Sequence, residues 1–262
     1  SIPFCWEAST SKAQQILQEF ATSMGVKTIV PLEIFGYDIS FTNSSLAMLV
    51  TVLLIILFLS LGLKNSSIIP SKGQSLVELS YEFIADMIGD NIGKEGMKYL
   101  SFIFSLFMFI LLGNLLGMLP YSFTWTSHII VTFAISFFIF ILVTFIAIAK
   151  HGLLKFLGFF APSGVPKAML ILLVPIEVIS YLSRPVSLSV RLFANMMAGH
   201  TLLKVIGGFV FVLGANSFIV GGALPVAFLV ALTGLEIVIA FLQAYVFAIL
   251  TCLYINDAIH LH

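Results

Sequence analysis

AMLILLVPIEVISYLSRPVSLSVRLFANMMAGHTLLKVIGGFVFVL, residues 168–213, is an apolar run of 46 residues that carries Glu177, Arg184, Arg191, His200 and Lys204. As a helix it would extend ~69 Å at 1.5 Å per residue. The hydrocarbon core of a bilayer is only ~30 Å thick. Two readings follow. The run crosses twice with a break near 184–191, or it crosses once at a steep tilt. A lysine-free turn follows at 214–222, and then a second long apolar run at 218–256. That pairing favours a long, strongly tilted two-helix hairpin. Such tilt gains nothing for anchoring, but it suits wrapping a curved partner.

Upstream lie three shorter apolar spans, about 45–63, 99–119 and 129–149. Each approaches the ~20 residues that a transmembrane helix needs. Hydrophobic residues make up 60% of the 262 and charged residues only 9%. Soluble domains carry about 25% charged residues, so this chain is not built to face water. Its mean hydropathy of +1.14 agrees. The runs are continuous and do not alternate with period two, which excludes an outer-membrane barrel. The fold class is an all-α polytopic membrane protein, with three roughly vertical spans, an interfacial helix and the tilted hairpin.

The interfacial helix is read at 72–91. Leu76, Leu79, Phe83, Ile84, Met87 and Ile88 recur at helical spacing, and Glu78, Glu82, Asp86 and Asp90 step by four on another face. An amphipathic helix of this kind lies in the membrane surface, or alternatively against a soluble partner. Residues 1–40 form an N-terminal segment outside the membrane, and 41–262 the membrane domain. Ser1 in place of Met points to processing or to a trimmed sequence.

Orientation comes from loop charge. Lys64, Lys72, Lys94 and Lys98 flank the first loop, and Lys150, Lys155 and Lys167 the third. The segments 120–128 and 214–222 carry no Lys or Arg. The first and third loops therefore face the positive-inside compartment, and five crossings leave the N-terminus outside and the C-terminus inside. Net charge is zero with no basic segment, so nucleic acid is not an expected partner. Cys5 and Cys252 have no metal spacing. The chain has no Walker motif, so no nucleotide chemistry is expected of it.

The polar residues of the hairpin are the candidate site. An ionised group at mid-membrane costs ~2.5–3.5 kcal/mol by insertion scales, so it marks function by default. At about 100° per residue, Glu177, Ser180, Arg184, Ser187 and Asn195 fall within about 40° of Arg191. Glu236, Gln243 and Asp257 share one face of the second helix. Folding the helices back at the turn sets Arg191 level with Gln243, Glu177 with Asp257, and His200 near Glu236. His200 falls about 180° from Arg191 on an ideal helix, so either the helix is distorted at Gly199 or His200 serves a separate cavity.

Acids and histidines in hydrocarbon mark proton relays. A guanidinium does not deprotonate, so Arg191 cannot relay a proton. It can repel one and hold a nearby carboxylate ionised. At 4 Å and an effective dielectric of 20 that attraction is ~4 kcal/mol, or about three pKa units. Glu236 and His200 lie on the outer side of Arg191, and Glu177 and Asp257 on the inner side. Two half-paths separated by a fixed charge need an external moving carboxylate as carrier. A secondary transporter would show inverted repeats, and a structural scaffold leaves the matched polar stripes unexplained. His200 and Glu236 alone would make a weak metal site, so no metal or cofactor is expected.

RPVSLSVRLFANMMAGH (184–200), LTGLEIVIAFLQAYVF (232–247), GNLLGMLPYSFT (113–124), ISFTNSSLAML (39–49) and QSLVELSYEF (74–83) together resemble the a subunit (subunit 6) of F-type ATP synthases, from about residue 30 onward. The resemblance implies a non-catalytic, proton-conducting stator in the F0 sector. Its expected partners are the c-ring, peripheral-stalk and other F0 subunits, and the lipid bilayer. It implies that Arg191 faces the c-ring, releases the proton from each c-subunit carboxylate and blocks leakage between two half-channels. By the same resemblance Gln243 is the neighbouring glutamine, Asn195 the asparagine one turn on, and His200 with Glu236 the pair of the outer half-channel. Glu177 with Ser180 matches the inner half-channel. The histidine-first order looks mitochondrial or alphaproteobacterial, and the ending YINDAIHLH is similar to mitochondrial versions, which favours the mitochondrial inner membrane over an alphaproteobacterial plasma membrane.

Overall fold

The computed structural model describes residues 28–30, 33–34, 37–38, 41–64, 70–118, 124–152, 156, 167–214 and 224–259. From Asn43 onward every regular element among the described residues is helical. Helix α1 is Asn43–Leu63, α2 Lys72–Asn91, α3 Leu100–Gly117, α4 Ile129–His151, α5 Lys167–Gly214 and α6 Leu224–Ile259. Short 3-10 turns at Lys94–Tyr99 and Trp125–Ser127 lead into α3 and α4. Before α1 the chain forms two nested antiparallel pairings that the sequence reading did not foresee. Thr28–Val30 pairs with Phe41–Thr42, and Glu33–Ile34 with Tyr37–Asp38.

Among the described residues, five helices are long and apolar enough to cross a bilayer: Asn43–Leu63, Lys94–Gly117, Ile129–His151, Met169–Gly207 and Val226–Ile259. This is the number expected. The chain from 214 to 222 lies almost wholly outside the described residues, as do 218–223 of the second long run, and α6 extends past 256 to Ile259. Of the two readings of residues 168–213, the unbroken helix is correct. The 48 residues of α5 continue through Pro175 and Pro185. Each proline lacks an N–H, so the carbonyls of Ile171 and Tyr181 lose their helical donor. Membrane helices tolerate such gaps where neighbouring groups compensate. At 1.5 Å per residue α5 is ~72 Å long.

Local sequence explains the helix starts. The Thr42 hydroxyl accepts from the Ser45 N–H at 3.4 Å, and the Ser71 hydroxyl from the Gln74 N–H at 3.3 Å. These cap the free amides of α1 and α2. The α1 side chains Leu49, Leu53, Ile56 and Leu57 are exposed, as suits a helix bathed in lipid.

The core lies where α3 meets α6 and α4 meets α5. Ile103, Phe107 and Ile110 of α3, Ile139 and Val143 of α4, Leu188 and Leu192 of α5, and Phe247 and Ile255 of α6 are buried there. Ala240, Ala244 and Ala248 step by four along α6 and are fully buried. Small residues at this spacing let membrane helices approach closely. At Gly113 a side chain would drive into the Trp125 ring, and at Gly117 a Cβ would come within 2.5 Å of Thr124 Cγ2. The segment before α4 is thereby folded down onto α3, and Thr124 Oγ1 donates to the Gly117 carbonyl at 3.0 Å.

Helix α2 divides its apolar residues in a way the spacing did not show. Ile84, Met87 and Ile88 are buried in the core, whereas Leu76 and Leu79 are exposed. Phe83 packs on Phe107, Phe241 and Tyr245. The amphipathic helix therefore docks by its second half onto α3 and α6. Three loop ends meet at the end of the molecule that carries the lysines. Lys150 pairs with Glu95 at 2.5 Å, and His151 Nε2 lies 3.0 Å from the Ile259 carbonyl.

Candidate functional site

The candidate residues lie on α5 and α6, which run antiparallel and pack along each other. From the lysine-rich end, α5 presents Glu177, Ser180, Arg184, Arg191, Asn195 and then His200. In the reverse direction α6 presents Glu236, Gln243 and Asp257.

Arg191 is exposed and, among the described residues, makes no ion pair or side-chain hydrogen bond. Ser180, Ser187 and Asn195 are also exposed, as the helical angles predicted. Around them Val186 and Val190 of α5 and Leu235, Val238, Phe241 and Leu242 of α6 are open. Arg191 therefore sits in an apolar face that none of the described residues covers. A permanent charge cannot rest against lipid tails without large cost. The face requires water or a partner with an acidic group at this level.

One turn along, Asn195 Nδ2 donates to Gln243 Oε1 at 2.7 Å. Gln243 is 4% exposed, and its Nε2 has no partner among the described residues. Further along, Glu236 is 5% exposed and lies against Gly199. A Cβ at Gly199 would sit 2.7 Å from Glu236 Oε1, so the glycine makes the seat for the carboxylate. The backbone of His200 follows directly in α5, and its side chain lies outside the described residues, as does that of Lys204. Asn114 is buried on α3 and donates to the Ala240 carbonyl at 3.4 Å, a contact between spans.

Two of the expected level pairs are corrected. Gln243 bonds Asn195 in place of Arg191, and Asp257 meets Arg184 in place of Glu177, with Arg184 Nη1 3.0 Å from Asp257 Oδ2. The cause is side-chain direction. Every Cα–Cβ bond leans toward its own helix N-terminus. In an antiparallel pair, residues on α5 lean toward the lysine-rich end and those on α6 lean away from it. Contacting partners are therefore offset from the Cα level, most of all where a long arginine is involved. Glu236, facing a glycine, keeps the expected level.

Arg184 has a surround that the sequence reading missed. Its guanidinium carbon lies 5.4 Å from the Tyr181 ring centre and 5.1 Å from that of Tyr254. Tyr181 in turn shares a 2.7 Å hydrogen bond with Thr144 on α4. A signal was present: Tyr181 precedes Arg184, and Tyr254 precedes Asp257, by three residues each, which sets each ring on its neighbour's face of the helix. Glu177 is half-buried and is one helical turn from Ser180.

Residues 45–256 match the family model described as ATP synthase A chain. The chain is 61% identical over 231 residues to "ATP synthase subunit a" of Pelagibacter ubique, covering 88% of this chain and 93% of that protein. It is 55% identical to the protein of that name from Paramagnetospirillum magneticum, covering 90% and 96%. The corresponding protein of Rhodospirillum rubrum is 56% identical with the same coverage.

Proposed function

Since the chain belongs to the ATP synthase A chain family, we propose that it conducts protons as the F0 stator, through two aqueous half-channels that Arg191 holds apart. The observation that carries this reading is Arg191 itself, unpaired among the described residues on an open apolar face of a long helix. Its natural complement is a carboxylate that arrives from another subunit, and a ring of such carboxylates fits the length of α5 and α6. Beside Arg191 the incoming carboxylate is favoured in its ionised form, by ~4 kcal/mol at 4 Å and an effective dielectric of 20. The proton leaves before the carboxylate reaches the arginine and is replaced after it passes.

On the outer side, Glu236 on its Gly199 seat, with His200 adjacent in sequence, passes protons to or from the ring. Asn195 and Gln243, hydrogen-bonded to each other, line the approach to Arg191. On the inner side Glu177 and Ser180 take the same role. Nucleotide chemistry belongs to other subunits of the complex, and the partners of this chain are the ring, the remaining F0 subunits and the bilayer. The relatives named above are bacterial, so the plasma membrane of a bacterium replaces the mitochondrial inner membrane as the proposed location.

The test is ATP-driven proton pumping in inverted vesicles. Arg191→Ala is expected to abolish it while the subunit still assembles with the ring. Normal pumping by that variant would contradict the mechanism.

A further inference from the structure

Arg184 and Arg191 lie seven residues apart, on nearly the same angle of α5, yet their surroundings are opposite. Arg191 is open. Arg184 is half-buried, with its partner Asp257 exposed, and side chains of α4 and α6 line the space around it. Asp257 of α6 accepts its hydrogen bond at 3.0 Å, and Tyr254 of α6 offers a ring face at 5.1 Å. Tyr181, one turn before it on α5, offers a second face at 5.4 Å and is itself held by Thr144 of α4 at 2.7 Å. Pro185, next in the chain, is buried. Two small adjoining cavities flank the guanidinium, lined by Val143, Tyr181, Arg184 and Tyr254 in common. Arg184 is thus the point where α4, α5 and α6 are tied together by polar contacts.

From this geometry we infer that Arg184 and Asp257 form a positioning clamp that fixes the register of α5 on α6. The clamp lies two turns from Arg191. Tyr254 lies within electrostatic reach of both arginines, so a slip of α6 at the clamp is felt at Arg191 and along the row to Asn195 and Gln243. A guanidinium suits this duty better than an ammonium, because it stacks on rings and bonds a carboxylate at once. The inference rests on the proton-conducting reading above.

The experiment uses the assembled complex in inverted vesicles, with pumping expressed per complex that retains this subunit. Arg184→Gln and Asp257→Asn are each expected to lower ATP-driven pumping by up to about a hundredfold, the order that a 1 Å misplacement costs. Their pH profiles should keep the wild-type shape. Arg184→Lys should retain more activity than Arg184→Gln. The exchange Arg184→Asp with Asp257→Arg should restore pumping to well above either single variant, because it rebuilds the pair and places the new arginine one turn from Tyr254. A group on the proton path could not be replaced by a fixed cation. An inactive but assembled exchange variant, a shifted pH profile for Asp257→Asn, or single variants with unchanged pumping would each overturn the clamp. If the exchange variant does not assemble, the pH profile of Asp257→Asn decides. Wild-type and Arg191→Ala vesicles run alongside test the proton-conducting reading separately: failure there shows as pumping that does not depend on Arg191.

Discussion

At the scale of single residues, function and packing divide by whether a charge has found a partner within the chain. Arg184 has one and Arg191, among the described residues, has none. Glu236 occupies a space left by a missing side chain at Gly199. Gly199→Ala should therefore displace the carboxylate and lower ATP-driven pumping by up to about a hundredfold, with the subunit still present in the membrane at near wild-type amount. Pumping assays and immunoblots on the same vesicles check this. The charged residues themselves were legible in the sequence, because a guanidinium or carboxylate stands out in an apolar run. Their partners were not. Level counting treats side chains as perpendicular to the helix, whereas each leans toward its N-terminus, and the offset moved Asp257 from Glu177 to Arg184. The tyrosines around Arg184 were lost among the other apolar and aromatic residues of the spans.

At the scale of elements, helix length and glycine placement govern the assembly. The helices Asn43–Leu63, Leu100–Gly117, Ile129–His151 and Lys167–Gly214 begin and end within about two residues of the spans read from hydropathy, because hydropathy reports them directly. The continuity of α5 through Pro175 and Pro185 was favoured by the lysine-free turn and the second long run that follow it, although proline argues locally for a break. The antiparallel pairings at 28–42 could not be read, because they are too short to leave a periodic pattern. The packing of Trp125 on α3 depends on a glycine of no polarity at all. Gly113→Ala would push a methyl group into the Trp125 ring. An overpacking cost of ~1–3 kcal/mol is expected, visible as a lower thermal stability of the detergent-solubilised complex. His128, whose carbonyl accepts from the Val131 and Thr132 amides at the start of α4, has its imidazole held below the usual histidine range by burial. Folding thus favours its neutral form. Its contribution to stability is present above the unfolded-state pKa and is lost as pH falls through the lowered folded-state value.

At the scale of the whole molecule, the five candidate spans among the described residues and the lysine distribution predict a direction. His128→Cys should react with an impermeant thiol reagent added from outside, and Lys150→Cys only with reagent reaching the inner face. The reverse pattern would invert the assignment of outer and inner half-channels. Within that frame the described residues of the two long helices present an open, mostly apolar surface crossed by one exposed arginine. If Arg191 is the partition between two half-channels, its loss must do two things together. Coupled transport must stop, and the barrier to passive flow must fall. The direct measurement is therefore made on vesicles carrying Arg191→Ala, first for ATP-driven pumping and then, after removal of the catalytic sector, for passive proton permeability. Pumping at background level with permeability above wild type is the expected result. Wild-type pumping, or lost pumping in an assembled complex with permeability no higher than wild type, would contradict the role assigned to Arg191.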